Sequence, residues 1–320
     1  MIDRRIGRRL FRKYLFLILL PVTITLLVSN AISIYFSYKE IGSGLASLQH
    51  EKALTAAFAI EQSLGQIVQR LGDATRPPRD VELQRIQLLT FMRQTPAVSD
   101  VVHVYSSDNE KVHVPRDGVL RGYGNTHFAE LAIRDAKCDQ PWVGTVYFRT
   151  SYPNIAVSYP QITVAVRSCG ADASVTAAEV ELKFIWDFLS RIKIGNKGKV
   201  YVVDTGGLLI ADPDIGLVLA RTYLDELPHV KAATETRDAA QPAMLSRDLA
   251  GRGILVTFAP IKLVNWSVFV EQPMSELYEK LNASLARTAL HLLAGLVISA
   301  VVALALAQHF TGRDKHRREH

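Results

Sequence analysis

Cysteine is nearly absent: the 320 residues contain two. That excludes a disulfide-dense scaffold and leaves no Cys/His spacing of the kind a zinc site needs. A phosphate-cradling glycine loop and a dinucleotide fingerprint are also missing. No cofactor is expected, and nothing in the chain marks it as an enzyme. Acidic charge is scarce at the two ends. Residues 1–13 and 309–320 together hold ten basic residues against three acidic ones, whereas the stretch between them balances 27 basic with 28 acidic. The net charge of +6 is therefore a property of the ends. A basic chain raises the question of nucleic acid, but here the excess flanks apolar sequence, and nucleic-acid binding is not expected.

What the chain does have is two long runs without charge, at 14–36 and 289–308. Each has the roughly 20 residues that a membrane-crossing helix requires. Basic residues beside both runs predict cytoplasmic flanks. The expected layout is a cytoplasmic N-terminus (1–13), a first span (14–36), an extracytoplasmic region (37–288), a second span and a cytoplasmic tail (309–320) in a bacterial inner membrane. A cleaved signal peptide ending near Ser29-Asn30-Ala31 is the competing reading. The apolar run continues past that site to Phe36, which favours an uncleaved anchor over the usual stretch of about 7–15 residues. No output domain fits in the tail, so a longer chain or a partner is expected to supply one.

Between the runs the periodicity alternates. Residues 37–74 read as a stalk helix, with Ile60, Leu64, Ile67 and Leu71 on one face. This helix is expected to pair with a second copy of the chain. Arg76-Pro77-Pro78-Arg79 breaks it, and 80–95 suggests a shorter helix. Period-two segments follow at 101–105, 111–114, 143–149 and 156–167, with a helix at 126–137. Residues 176–193 again read as helix, from Val180, Phe184, Ile185, Phe188, Leu189 and Ile192. Further strands are expected at 200–204, 208–211, 243–246, 253–261 and 266–271, with a helix near 224–236. After Pro273 a continuous helix leads into the second apolar run. The pattern of strands, helix and strands occurs twice, which predicts an α+β fold with two antiparallel sheets in tandem.

The hairpin around Ser151-Tyr152-Pro153-Asn154 gives the cysteines a meaning. A symmetric turn centred on Pro153-Asn154 pairs residues whose numbers total 307, and Cys138 with Cys169 satisfies that sum. Opposed strand residues lie near the Cα separation of a disulfide, about 5.5 Å, so a Cys138–Cys169 bond is expected. Two separate buried thiols are the alternative.

Other constellations carry less. His103 and His113 could face each other across a turn at Asp108, but two imidazoles fall short of a zinc ligand set. Asp204, Asp212 and Asp214 could suggest calcium, yet their spacing suits turn formation better. In the first sheet Tyr105, Arg121, Tyr123, Trp142, Tyr147, Arg149 and Tyr159 are candidates to line a small-molecule site. Tyr147 and Arg149, two apart, share a strand face, and Arg beside Tyr and Trp suits a carboxylate.

Residues 181–195, from Glu181-Leu182-Lys183-Phe184-Ile185-Trp186-Asp187 to Gly195, resemble a known family. So do Gly198-Lys199-Val200-Tyr201-Val202-Val203-Asp204 and Leu209-Ile210-Ala211-Asp212-Pro213-Asp214. They resemble the linker and membrane-proximal module of double Cache (dCache, PAS-like) sensor domains. Such tandem domains serve bacterial sensor histidine kinases, nucleotide cyclases and chemoreceptors. The resemblance implies tandem PAS-like antiparallel-sheet domains on a long N-terminal helix, flanked by two transmembrane helices. It implies a membrane-distal module at 75–175 that binds a small ligand, a linker helix at 176–195, a proximal module at 196–272, and an exit helix with the second span at 273–308. Amino-acid-binding members carry an Arg-x-Trp-Tyr-type stretch, for which this chain has Gln140-Pro141-Trp142-Val143. Amino-acid recognition is therefore not supported by that motif. The expected function is a receptor input module of a two-component system or relative. A membrane-anchored dimerisation or assembly scaffold is the alternative.

Overall fold

The computed structural model describes residues 3–75, 80–106, 110–116, 127–138, 140–150, 158–170, 173–236 and 241–316. It divides into two units. One comprises residues 1–45 with 275–320, the other residues 46–274. In the first unit both chain segments are helical: the start of α1 (Asp3–Thr75) and nearly all of α7 (Met274–His316). Among the described residues no helix is long and apolar enough to cross a membrane. The side chains of much of both apolar runs lie outside the described residues.

The second unit is built on the later part of α1. Its row Ala53, Ala56, Ala57, Ile60, Leu64, Ile67 and Leu71 is buried, with the three-and-four spacing of one helical face. Two sheets share this core. Gln49 donates from Nε2 to Gln272 Oε1 (2.8 Å) of the second sheet. A Cβ on Gly72 would lie 3.9 Å from Val166 of the first. Helix α2 (Val81–Gln94) is started by Asp80, whose carboxylate accepts from the backbone N–H groups of Glu82 and Leu83 at 2.9 and 3.3 Å.

The first sheet contains β1 (Val98–Tyr105), β2 (Lys111–Pro115), β3 (Trp142–Val143), β4 (Tyr147–Thr150), β5 (Ser158–Ser168) and β6 (Ser174–Glu181). Its order is β2-β1-β6-β5-β3, with β4 also on β5, and every pair is antiparallel. Helix α3 (His127–Asp135) covers one face. The second sheet contains β7 (Lys199–Val203), β8 (Leu209–Ala211), β9 (Gln241–Arg247), β10 (Gly253–Ile261) and β11 (Trp266–Pro273), in the order β8-β7-β11-β10-β9. Short helices α4 (Lys183–Leu189), α5 (Ile215–Leu219) and α6 (Pro228–Glu235) complete the unit. The α+β class and the paired antiparallel sheets are as the periodicity predicts.

Three local expectations need correction. The helix expected from residue 176 is strand β6 up to Glu181, and only Lys183–Leu189 is helical. The sequence 174–181 sits between β1 and β5 and is buried on both faces, which erases the alternation that marks a half-exposed strand. His103 and His113 do not oppose each other. The register pairs His103 with Val112 and Val102 with His113, so the two imidazoles lie on opposite faces. The strand expected over 143–149 is split into β3 and β4. The register around it holds at 307 for Trp142–Ala165 but shifts to 308 for Tyr147–Gln161.

Turn chemistry accounts for the aspartates of the second sheet. Asp204 Oδ1 accepts from Gly206 and Leu208 N–H, each at 2.8 Å. Gly207 has φ +84°, and a Cβ there would meet Asp225 at 2.6 Å, so only glycine fits. Asp212 Oδ1 accepts from Asp214 N–H, and Asp214 starts α5 through Gly216 N–H.

Candidate ligand site on the first sheet

Opposed strand positions share a face, and the register defines one face of the first sheet. Val102, Val104, Ala165, Val175 and Ala177 pack there with Ala129, Ala132 and Ala136 at α3. The next row along the same face is polar: Asp100 opposes Glu179, and Glu179 opposes Thr163. Asp100, Glu179 and Thr163 are buried.

Glu179 is the centre of this row. Arg149 forms an ion pair with it through Nη1 and Oε2. Tyr147 donates to Oε1 at 2.7 Å and lies 3.3 Å from Thr163 Oγ1, while Ser99 reaches Oε2 at 3.2 Å. Beside them His113 Nε2 meets Asp100 Oδ1 at 2.5 Å. Burial pushes the Tyr147 hydroxyl pKa up, and the Glu179 charge adds to the effect. Burial opposes the Arg149 charge, but its bond to Glu179 and the charges of Glu179 and Asp100 outweigh it and raise the guanidinium pKa. Gln161, opposite Tyr147, is buried, and its Oε1 has no hydrogen-bond partner among the described residues.

Trp142 borders the polar row and packs against the apolar cluster at α3. Gly144 leaves room for its ring, since a Cβ there would come within 2.9 Å of Trp142. Trp142, Tyr147 and Arg149 thus join one half-buried surface. Two candidates do not. Tyr105 is buried on the α1 side, edge-on to His103 with centroids 4.6 Å apart. Tyr159 opposes Arg149 in the β4–β5 register, but its ring packs towards the core that holds Trp186 of α4, with centroids 6.0 Å apart. Their aromatic character serves packing, which strands favour on its own account. Arg121 and Tyr123 lie outside the described residues. Sequence reasoning did not single out Asp100, Glu179, Thr163 and Gln161, which the register brings to this face. Glu179 was legible in principle, as an acid flanked by the small and apolar residues of 175–180, but only once that stretch is taken as a strand.

Cys138 and Cys169 form a disulfide with a Cα–Cα distance of 5.8 Å. Cys138 is not a ladder partner of Cys169; it makes an isolated parallel bridge to Arg167. Arg167 donates from Nε to Ala136 O at 2.7 Å and from Nη2 to Ile133 O. Together the disulfide and Arg167 tie the C-terminal end of α3 to the β5–β6 hairpin. A cavity of about 370 Å³ lies apart from the polar row, between residues 68–75 of α1 and residues 166–168 of β5.

A family model for the Cache domain, dCache_1, matches residues 37–281. The chain belongs to the Cache-domain family. Solved structures agree in fold. The sensory domain of the Campylobacter jejuni chemoreceptor Tlp1 superposes with a TM-score of 0.56 at 11% identity, over 75% of this chain and 98% of that one. The extracellular domain of mmHK1S-Z3, assigned as a histidine kinase, gives 0.55 at 12% identity, over 75% and 98%. The ligand-binding domain of the Pseudomonas aeruginosa PAO1 amino acid chemoreceptor PctC, in complex with GABA, gives 0.53 at 20% identity, over 71% and 98%. No curated protein matches the chain. In this Cache domain the polar row lies on the first of the two sheets, and β11 of the second runs into α7 without an intervening loop.

Proposed function

We propose that this Cache protein is the input half of a transmembrane receptor, with its ligand bound on the α3-side face of the first sheet. The carrying observation is the buried row Asp100–Glu179–Thr163 with Arg149, Tyr147 and Trp142 at its open side. Burying two carboxylates and a guanidinium is costly even when they are paired, and such clusters concentrate at functional sites. Arg149 spends one donor on Glu179 and has others to offer a ligand anion. Gln161 Oε1 and Asp100 offer acceptors for a ligand N–H. A small polar metabolite bearing a carboxylate and a hydrogen-bond donor fits this set.

In this reading residues 14–36 and 289–308 anchor the chain in an inner membrane, with 37–288 outside the cytoplasm. Supporting this are the absence of charge in both runs, their basic flanks, and apolar side chains exposed along both helices, such as Val28 at 53% and Val297 at 60%. Exposed Leu48, Leu54 and Phe58 on α1 suit pairing with a second copy. The chain signals through α7 to a cytoplasmic output domain or partner kinase and carries no catalysis itself. Titration of the full chain in lipid nanodiscs against a library of small carboxylates tests the reading. A binder whose affinity falls at least tenfold in Arg149→Lys is expected, because a point-charge ammonium cannot replace a planar donor array. A library without a binder, or a binder indifferent to Arg149, would sink it.

A further inference from the structure

The second sheet also buries ionisable groups, on the face covered by α6, and they form a chain. Tyr201 of β7 bonds Glu271 of β11, its hydroxyl also lies 2.8 Å from His229 Nε2 of α6, and His229 Nδ1 lies 2.8 Å from Ser246 Oγ of β9. Lys199 of β7 sits between two carboxylates, 2.8 Å from Asp212 and 3.9 Å from Glu271. Tyr201 and His229 are buried, Tyr201 stacks on Phe269 at 5.2 Å, and His229 meets the same ring edge-on at 5.6 Å. Asp248, after β9, faces the cluster and is itself paired with Arg252. The core therefore holds Lys199 against Asp212 and Glu271, with Asp248 already neutralised. One negative charge is in excess.

We propose that the membrane-proximal sheet is a proton-binding site, in which uptake of one proton by Glu271 reverses the hydrogen-bond chain Ser246–His229–Tyr201–Glu271 and changes the hold on β11. The atoms allow two states. With Glu271 charged, Ser246 donates to His229 Nδ1, His229 Nε2–H donates to Tyr201, and Tyr201 donates to Glu271. With Glu271 protonated, its hydroxyl donates to Tyr201, Tyr201 donates to Nε2, and Nδ1–H donates to Ser246. The imidazole stays neutral and exchanges tautomers. Burial raises the Glu271 pKa, and burial lowers that of His229 to about 4, which places the added proton on the carboxyl rather than the ring. Lys199 and Glu271 are direct partners in the β7–β11 register. Neutralising Glu271 leaves Lys199 to Asp212 alone and loosens β11 two residues before Pro273, where the strand passes into α7.

This inference needs the receptor reading only for the outward direction of α7; the site itself stands without a ligand. It is tested on the full chain in nanodiscs with ¹⁵N-labelled histidine and no ligand, so a failure leaves the ligand site of the first sheet untouched. As pH is lowered through the range in which Glu271 takes up its proton, the neutral His229 ring is expected to pass from the Nε2–H to the Nδ1–H tautomer. Hydrogen exchange of the β11 amides should change roughly fivefold over the same range, the factor equivalent to about 1 kcal/mol. In Glu271→Gln, Lys199 engages the amide oxygen and the amide N–H donates to Tyr201, so Nδ1–H should persist at both ends of the range. Tyr201→Phe cuts the chain and should abolish the pH response, giving a second test if the first variant folds poorly. A wild-type tautomer that does not change, a change that survives Glu271→Gln, or one without altered β11 exchange would each overturn the proposal.

Discussion

The two sheets solve the same topological problem with opposite fillings. Each turns one face to α1 and the other to a short helix, α3 or α6. On the α3 face of the first sheet the apolar layer stops after Ala165 and Ala177, and a row of charged and hydroxyl groups begins, with Arg149 and Tyr147 half-buried at its edge. On the α6 face of the second sheet Tyr201, Phe258, Phe269 and His229 fill the space, each at most 2% exposed, and the polar atoms among them bond to one another. An open polar row can exchange a protein contact for a ligand contact. A closed aromatic layer can only move as a piece. Under the proposed function, the first sheet is the one that receives and the second the one that transmits.

The largest way to break this contrast is Phe269→Ala. Phe269 carries the rings of Tyr201, Phe258 and His229, and its removal leaves a cavity the layer cannot close. A loss of about 3–5 kcal/mol is expected in denaturant unfolding. A loss under about 1 kcal/mol would mean that the second sheet is not packed as a unit. Next is Arg149→Met, which strands the Glu179 carboxylate. Breaking a buried ion pair from one side costs about 3–5 kcal/mol, whereas replacing both partners often restores stability. Because Arg149 keeps some exposure, with 16% of its side chain accessible, the expected cost is at the low end, about 3 kcal/mol. Arg149→Met with Glu179→Leu should recover most of the loss while abolishing ligand binding. A double variant as unstable as the single one would show that the pair holds the sheet together rather than serving a site.

Acid separates the sheets by sign. Burial holds His103 in the first sheet and His229 in the second at a pKa of about 4, below the ordinary 6.5. A folded-state value below the unfolded one stabilises above the unfolded pKa, and that stability is lost as pH falls from 6.5 towards 4. The loss is up to about 1.4 kcal/mol per pH unit for each ring. Glu271 has a raised value, so its contribution has the opposite sign: it is present in acid and lost as pH rises. The second sheet therefore carries two shifts of opposite sign, at His229 and Glu271. Unfolding midpoints across this range should fall more steeply in Glu271→Gln and less steeply in His103→Gln. Equal slopes in the two variants would remove the distinction.

How far the chain could be read in advance depended on exposure. α1, α2 and β10 were legible because each keeps one polar side or clear turn residues, so periodicity survives. The expected disulfide forms, but not as the ladder pair that the hairpin arithmetic implied: the 307 register holds only at Trp142–Ala165 and Val143–Val164, and Cys138 itself bridges Arg167. Strand β6 was not legible, because Val175, Ala177, Ala178 and Val180 are buried whichever way they point, and the apolar stripe of α4 beyond them has helical spacing. That misreading hid Glu179, and with it the centre of the polar row. Tyr105 and Tyr159 were overvalued for the converse reason: an aromatic in a strand has the same signature whether it faces a ligand or the core. Composition cannot tell the two faces of a sheet apart; only register can.

The smallest test sharpens the division between the faces of the first sheet. Asp80 caps α2, and the buried side of α2, Leu88, Phe91 and Met92, belongs to the core shared with α1. Arg116 Nη2 fastens the end of that helix by donating to Met92 O and Thr95 O at 2.9 and 2.8 Å. None of these groups belongs to the Asp100–Glu179–Thr163 row. Asp80→Ala removes two accepted N–H bonds and should cost about 1 kcal/mol, or about 2–4 °C of melting temperature for a unit of this size. Ligand affinity should stay within about twofold, because sites without shared partners contribute independently. A larger change in affinity would mean that the α1–α2 face and the polar face move together. Reception would then belong to the whole first sheet rather than to one side of it.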